Sequence, residues 1–68
     1  MSECAMGNNM RVFRAKYKMS QEKLSELVGV TRSTINFIEN GRWIPSALLA
    51  LKIARAFEAK FEDIFFIK

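Results

Sequence analysis

Polar side chains recur at helical spacing between residues 32 and 40. At about 100° per residue, one arc of a helix over this segment carries Arg32, Ser33, Asn36, Phe37 and Asn40. A guanidinium donates several hydrogen bonds in a fixed fork, whereas hydroxyl and carboxamide groups both donate and accept. Such a row can match the donors and acceptors of a planar polar surface. It contains no nucleophile paired with a base, so nothing in it predicts catalysis.

The opposite arc of this helix is apolar except for one acid, Glu39, beside Ile35 and Ile38. An unpaired carboxylate facing a core is costly. The inner stripe of a preceding helix, about residues 9–18, consists of Met10, Phe13, Arg14 and Tyr17. An ion pair between Arg14 and Glu39 is therefore one hypothesis. The alternative is that both side chains extend to water.

Two short helices joined by a tight turn are predicted over residues 21–28 and 32–40. The inner stripe of the first is Leu24, Leu27 and Val28, at i, i+3 and i+4. Ser20 is a suitable N-cap for it, Gly29 can adopt the left-handed conformation that ends it, and Thr31 can cap the next helix. This is the layout of a helix-turn-helix, whose second helix can enter the DNA major groove.

The remaining chain also predicts helices within one small domain. Ser46 is a plausible N-cap for a helix over about residues 47–57, and a short helix is expected over residues 61–65. Residues 9–68 form the predicted domain, and residues 1–8 are expected to be a flexible N-terminal segment. The fold class is all-α, a compact arrangement of five helices.

The chain resembles the Cro/CI-type (xenobiotic-response-element-like) helix-turn-helix family of phage repressors and small regulators. The matching positions are Arg14, residues 20–24, 29–35, 38–41, 45–46, 52–54 and 62–65. The resemblance covers about residues 9–67 and implies a lambda-repressor-like DNA-binding domain. It also implies that Arg14 and Glu39 pair. Phe37 departs from the family pattern, because its position is usually polar.

The polar arc and the resemblance together predict the residues that contact DNA. They are Gln21, Thr31, Arg32, Ser33, Thr34, Asn36, Phe37, Asn40 and Arg42. Arg32 is expected to bind a guanine edge, and Gln21 to donate to a phosphate and brace the second helix. Asn40 and Arg42 are expected to clamp the DNA backbone. Phe37 could touch a thymine methyl or be a packing residue. Arg11, expected to point outward, could bind a phosphate or simply be solvated.

Three bulky apolar residues, Phe65, Phe66 and Ile67, follow one another near the end of the chain. Alternate side chains point in opposite directions in an extended segment, so a monomer core does not easily explain all three. Clustered exposed apolar residues favour an interface. By this pattern and by the resemblance, we expect a homodimer formed through these residues and the last helix, where a short C-terminal β-strand can also lie.

Composition limits the classes of function. The net charge is +4, which suits a polyanionic partner, and the chain has no histidine and one cysteine, Cys4. We therefore expect no metal site, no cofactor, no small-molecule ligand and no disulfide framework. Residues 1–8 do not resemble a signal peptide, and no segment is long and apolar enough to span a membrane, so a cytoplasmic location is expected.

These observations predict a protein that binds specific double-stranded DNA sequences and regulates transcription, as a repressor or autoregulator at a palindromic operator. A protein-interaction module of the antitoxin type, which also binds DNA, is the alternative. RNA binding is disfavoured because the aromatic residues lie mainly at core spacing and form no stacking platform. The sequence does not predict an enzyme.

Overall fold

The computed structural model describes residues 6–68, so residues 1–5 of the predicted flexible segment, with Cys4, lie outside the described part. The elements, in chain order, are β1 (Met6–Asn8), α1 (Met10–Tyr17), α2 (Gln21–Val28), α3 (Arg32–Glu39), α4 (Ala47–Ala56), α5 (Phe61–Ile64) and β2 (Phe65–Ile67). The bounds of α2 are those predicted, and α3 ends one residue earlier than expected. The predicted five-helix fold is confirmed.

Hydroxyl side chains begin three of the helices, as the sequence predicts. Each oxygen accepts a hydrogen bond from the third amide of its helix: Ser20 from Lys23 at 2.9 Å, Thr31 from Thr34 at 3.2 Å and Ser46 from Leu49 at 3.1 Å. Gly29 ends α2 with a φ of 79°. The turn between α2 and α3 is therefore fixed by local chemistry on both sides.

The buried core lies between the helices and includes the first residue of β2. Its apolar members are Met10, Leu24, Val28, Ile35, Ile38, Leu49, Ala50, Ile53, Ala54, Phe57, Ile64 and Phe65. On α2, the predicted inner residue Leu27 is 51% exposed, whereas Ser25 is buried. The side of α2 that faces the core is centred between Leu24 and Val28. Ser25 and Leu27 lie on either side of this centre, and only Ser25 is covered by neighbouring residues. The small side chain of Ser25 fits there, with its hydroxyl donating to the Glu22 carbonyl at 2.6 Å.

The prediction for Tyr17 is only partly correct. Phe13 packs against the core, but Tyr17, the last residue of α1, is 44% exposed. One face of its ring stacks on Phe57, with the ring centroids 6.2 Å apart. Tyr17 therefore covers the edge of the core and is not part of its interior.

The two strands form an antiparallel ribbon that joins the start of the described chain to its end. Met6 pairs with Ile67, Gly7 with Phe66 and Asn8 with Phe65. The expectation that residues 1–8 are flexible is thus wrong for residues 6–8, because their backbone is paired with β2. The C-terminal strand itself was expected, but its pairing with an N-terminal strand of the same chain was not.

The ribbon changes the roles expected for the last aromatic residues. Phe65 is 2% exposed, so it belongs to the core of one chain, and its prediction as a dimer-interface residue is wrong. The ring of Phe66 lies over Gly7, where a Cβ atom would come within 2.6 Å of Phe66 Cζ. Ile67 is 75% exposed. Alternation along the strand points Phe66 away from the side shared by Phe65 and Ile67. Of those two, only Phe65 reaches the core.

Candidate nucleic-acid interface

The outer face of α3 is set by the two side chains that fix its inner face. Ile35 and Ile38 are fully or almost fully buried, which turns the predicted polar arc away from the core. On this arc, Arg32, Ser33 and Asn40 are exposed, Phe37 is 44% exposed, and Thr34 and Asn36 are half-buried. The structure therefore brings the predicted side chains of α3 to one accessible surface.

The carboxylate of Glu39 lies inside a cluster of donors from α1 and α2. Arg14 grips it with two hydrogen bonds, from Nε to Oε2 at 2.6 Å and from Nη2 to Oε1 at 3.0 Å. Gln21 Nε2 donates to Oε1 at 3.0 Å. The Glu39 side chain has no exposed surface, and that of Arg14 is 19% exposed. These contacts tie the end of α3 to both preceding helices.

The electrostatics of this cluster keep Glu39 ionised. Burial by itself raises the pKa of Glu39, but the hydrogen bonds from Arg14 and Gln21 and the charges of Arg14 and Arg11 outweigh it. The resulting pKa lies below the ordinary value for glutamate. The single acid of α3 is thus buried and neutralised, and it contributes no free carboxylate to the outer face of the helix.

Arg11 is exposed, as expected, but it also takes part in this cluster. Its Nε atom lies 3.4 Å from Glu39 Oε1, and its Nη2 donates to Asn40 Oδ1. Asn40 Nδ2 in turn donates to the Asn36 carbonyl at 2.9 Å and to Asn36 Oδ1 at 3.2 Å. The polar side chains in the last turn of α3 are therefore already oriented by one another.

Asn8, which sequence reasoning placed in a flexible segment, fixes the end of α3 from the ribbon. Its Nδ2 donates to the Ile38 carbonyl at 3.0 Å, and its Oδ1 accepts from the Met10 amide at 3.2 Å. One side chain thus serves a carbonyl at the C-terminus of α3 and an amide at the N-terminus of α1. An asparagine directly before a predicted helix was the signal that could have indicated this role.

The chain reverses sharply after α3 and returns along its outer face. Gly41 has a φ of 73° and donates to the Ile38 carbonyl at 3.0 Å, while the Arg42 amide donates to the Phe37 carbonyl at 2.9 Å. This pair of bonds is the Schellman motif, in which glycine supplies the left-handed residue. As a result, Arg42 and Trp43 line an open cleft with Thr34 and Phe37.

Four arginines lie near α3, and they have different environments. Arg11 and Arg14 face Glu39, whereas Arg32 and Arg42 are exposed and, within residues 6–68, form no ion pair. Thr31 and Thr34 share a hydrogen bond of 3.0 Å between their hydroxyl oxygens beside Arg32, in the first turn of α3. The outer face of α3 thus combines unpaired positive charge with hydroxyl and amide groups.

Other kinds of site find no support in the described part of the chain. Residues 6–68 contain no group of three or more potential metal-ligating side chains. None of the helices in this range has the length and apolar character needed to cross a membrane.

Comparison with known proteins agrees with this geometry. The helix-turn-helix family profile matches residues 10–64, most of the chain. The chain belongs to the helix-turn-helix family. It is 52% identical over 63 residues to YgzD, an uncharacterized HTH-type transcriptional regulator of Bacillus subtilis, covering 93% of this chain and 96% of that protein. An uncharacterized HTH-type transcriptional regulator of Archaeoglobus fulgidus is 55% identical over 60 residues, 88% of this chain and 86% of that protein.

A protein of known structure shares the fold. The restriction-modification controller protein C.AhdI from Aeromonas hydrophila superposes with a TM-score of 0.75 and 31% identity, over 79% of this chain and 82% of that one. Membership of the helix-turn-helix family confirms the resemblance found in the sequence. It also confirms that the protein belongs with non-enzymatic regulators.

Proposed function

We propose that this protein binds specific sequences of double-stranded DNA and regulates transcription, as a repressor or autoregulator at a palindromic operator. One observation carries the proposal. The outer face of α3 presents exposed, unpaired Arg32 and Arg42, while the acid of the same helix, Glu39, is buried and neutralised. Such a face attracts phosphates and offers donors to base edges. Because the proposed ligand is chromosomal DNA, we also propose that the protein works in the cytoplasm.

Different residues of this surface are proposed to contact the bases and the DNA backbone. Arg32 lies in the first turn, the part of a recognition helix that meets base edges. Its guanidinium can donate two hydrogen bonds to one guanine, to O6 and to N7. Ser33 and Asn36 supply adaptable hydrogen bonds beside it. Arg42, in the loop after α3, serves as a phosphate clamp. The side-chain amide of Asn40 already donates twice to Asn36, so Asn40 joins this clamp only by releasing one of these bonds. Gln21 braces α3 through Glu39, leaving only part of its donor capacity for a phosphate.

Thr31 and Thr34 complete the proposed contact surface at the start of α3. The Thr31 hydroxyl caps the helix and so is first a structural group. The Thr34 hydroxyl borders the outer arc, where a DNA phosphate can reach it.

A homodimer is part of this proposal, since one helix-turn-helix reaches too few base pairs for useful specificity. A continuous apolar face suggests where two copies meet. Met6 pairs with the exposed Ile67 in the ribbon, and the same Met6 lines a groove with Leu51 and Phe61. Leu51 is 55% exposed and Phe61 37% exposed. Burying this face against its symmetry mate would remove apolar surface from water on both copies.

Selection of bound sequences from a random duplex pool tests the function directly. We expect enrichment of a palindrome whose half-sites lie about one helical turn, roughly 34 Å, apart. Affinity for this duplex should exceed that for a shuffled duplex at matched salt concentration by about 10³-fold or more. A pool that shows no enrichment would contradict sequence-specific binding.

Two arginine variants separate base recognition from backbone contact. Arg32→Ala should cost about 1–3 kcal/mol at the preferred site and relax the preference at one position in each half-site. Arg42→Ala should weaken binding to all duplexes alike and reduce the dependence of affinity on salt. Arg55→Ala, an exposed arginine of α4 with the same loss of charge, is the control. An equal loss of specific and shuffled binding in Arg32→Ala would contradict its assigned role.

A further inference from the structure

Two large aromatic side chains remain exposed at the very surface proposed to meet DNA. Phe37 is 44% exposed on the outer arc of α3, and Trp43 is 49% exposed in the loop that follows. Together with Thr34 and Arg42 they line an open, predominantly apolar cleft of about 440 Å³. Neither ring is needed to fill the core, which the structure completes with other residues. Their exposure in one place therefore calls for a ligand.

The position of the cleft is fixed by the backbone and not by flexible side chains. The hydrogen bond of 2.9 Å from the Arg42 amide to the Phe37 carbonyl holds the returning chain against the last turns of α3. Gly41 allows this reversal through its positive φ. The backbone that carries the two rings is thus held in place relative to the polar arc, as a recognition element requires.

The surroundings of the cleft favour DNA over a second copy of the chain. Arg42 forms one wall, Arg32 lies in the first turn of α3, and neither forms an ion pair within the described residues. A second copy would bring its own guanidinium groups against these, whereas a duplex brings phosphates. The major groove also exposes an apolar group of matching chemistry, the 5-methyl group of thymine.

We infer that the cleft between Phe37 and Trp43 receives the 5-methyl group of a thymine in the major groove of the bound duplex. The inference rests on the proposed function and adds to it a base that the operator must contain. Arg32 selects a base by hydrogen bonds, whereas this cleft selects one by apolar contact. Each half-site is therefore read by two different kinds of chemistry.

Replacing single thymines of the selected operator with deoxyuridine tests the inference, because this change removes only the methyl group. At one position in each half-site, we expect the affinity to fall about three- to fivefold, as for the loss of one buried methyl contact. At other thymines, the affinity should stay the same. Replacing the T·A base pair at the sensitive position by a C·G base pair should lower the affinity. Using 5-methylcytosine in place of that cytosine should restore part of the lost affinity, because it restores the methyl group.

Protein variants connect the effect to the cleft. In Phe37→Ala and Trp43→Ala the penalty for deoxyuridine should disappear, whereas Leu27→Ala, an exposed apolar residue of α2, should retain it. Trp43 is the single tryptophan of the chain, so its fluorescence reports on the cleft without a label. We expect the emission to change on saturation with the operator, and to remain constant on raising protein concentration without DNA.

Several results would overturn the inference while leaving the proposed function intact. They are specific binding to a half-site without thymine, equal affinity for every deoxyuridine operator, and a deoxyuridine penalty that survives in Phe37→Ala. A change in Trp43 emission with protein concentration alone would instead assign the cleft to a second copy. Failure of the proposed function would look different, since no sequence would then be enriched at all.

Discussion

At the scale of single residues, Glu39 links α3 to the two helices before it. A buried carboxylate is tolerated only when donors replace the water that it loses. Here Arg14 and Gln21 supply three hydrogen bonds of 2.6 to 3.0 Å, and Arg11 adds a charge at 3.4 Å. The helix that carries the proposed base contacts is therefore oriented by polar contacts as well as by its apolar face.

The first prediction concerns the strength of this cluster. Glu39→Gln or Arg14→Met alone should lower the free energy of unfolding by about 3–5 kcal/mol, because each leaves an unpaired buried charge or amide. The double variant should cost clearly less than the sum, since neither partner is then stranded. Denaturant unfolding measures these values. Glu62→Gln, an exposed residue of α5, is the control. Small additive losses would show that the pair contributes little.

The second prediction concerns pH. The pKa of Glu39 in the folded protein is lowered, so the unfolded chain binds this proton more readily. Its contribution to stability is complete above the unfolded-state pKa, about 4.3, and is lost as pH falls through the lower folded-state pKa. Unfolding free energy should therefore decline as the pH falls below about 4.3, and less steeply in Glu39→Gln. Parallel pH profiles for the two proteins would rule out this role.

At the scale of elements, the ribbon of β1 and β2 ties the two ends of the described chain to the helix-turn-helix. The side chain of Asn8 reaches the Ile38 carbonyl, and the Asn9 amide donates to the Ile64 carbonyl at 2.8 Å. Phe66, with residues 6–8, lines a depression that includes Glu39 and Asn40.

The third prediction tests the close packing of Gly7 under Phe66. Gly7→Ala places a Cβ atom within 2.6 Å of Phe66 Cζ, so the ring has to leave its position. We expect a loss of about 1–2 kcal/mol in unfolding free energy. In a Phe66→Ala background, the same change should cost much less, because no ring opposes the new methyl group. Equal costs in both backgrounds, measured by denaturant unfolding, would show that the contact is unimportant.

At the scale of the whole molecule, our proposals concern two surfaces of the described residues: the outer face of α3 and the apolar face defined by Met6, Leu51, Phe61 and Ile67. A chain of this size buries only about 60% of its unfolded surface. Burying the apolar face between two copies would therefore add to the stability of the folded protein. Phe66 is a poor probe of the contact between two copies, because its ring packs over Gly7 within one chain. Ile67 and Leu51 are better, because both are more than half exposed.

The fourth prediction connects assembly to DNA binding. Ile67→Asp and Leu51→Asp should give monomers in sedimentation experiments with unchanged helical content. Their affinity for the palindrome should fall by about 10²-fold or more, since the two half-sites no longer bind as one unit, while affinity for a single half-site should change little. Val12→Asp, equally exposed on α1, should remain dimeric. A monomeric wild type, or dimeric Asp variants, would show that the interface is placed wrongly.

Local features of the sequence determined most of the helical framework. The caps at Ser20 and Thr31, the turn at Gly29 and the polar arc of α3 depend on residues a few positions apart, so their spacing predicts them. The partnership of Arg14 with Glu39 could also be anticipated, because few side chains on the inner faces can neutralise an acid. The structure brings these two together.

The tertiary structure decided what depends on residues far apart in the chain. Pairing of Met6–Asn8 with Phe65–Ile67 leaves no local signal, because the two strands lie at opposite ends of the described chain and β-propensity depends on tertiary context. That pairing buried Phe65, covered Gly7 and gave Asn8 its two contacts. Packing of α1 on α3 likewise recruited Arg11 to Glu39 and Asn40. Sequence periodicity assigns a face to each side chain, but only the packed chain determines which neighbour that face meets.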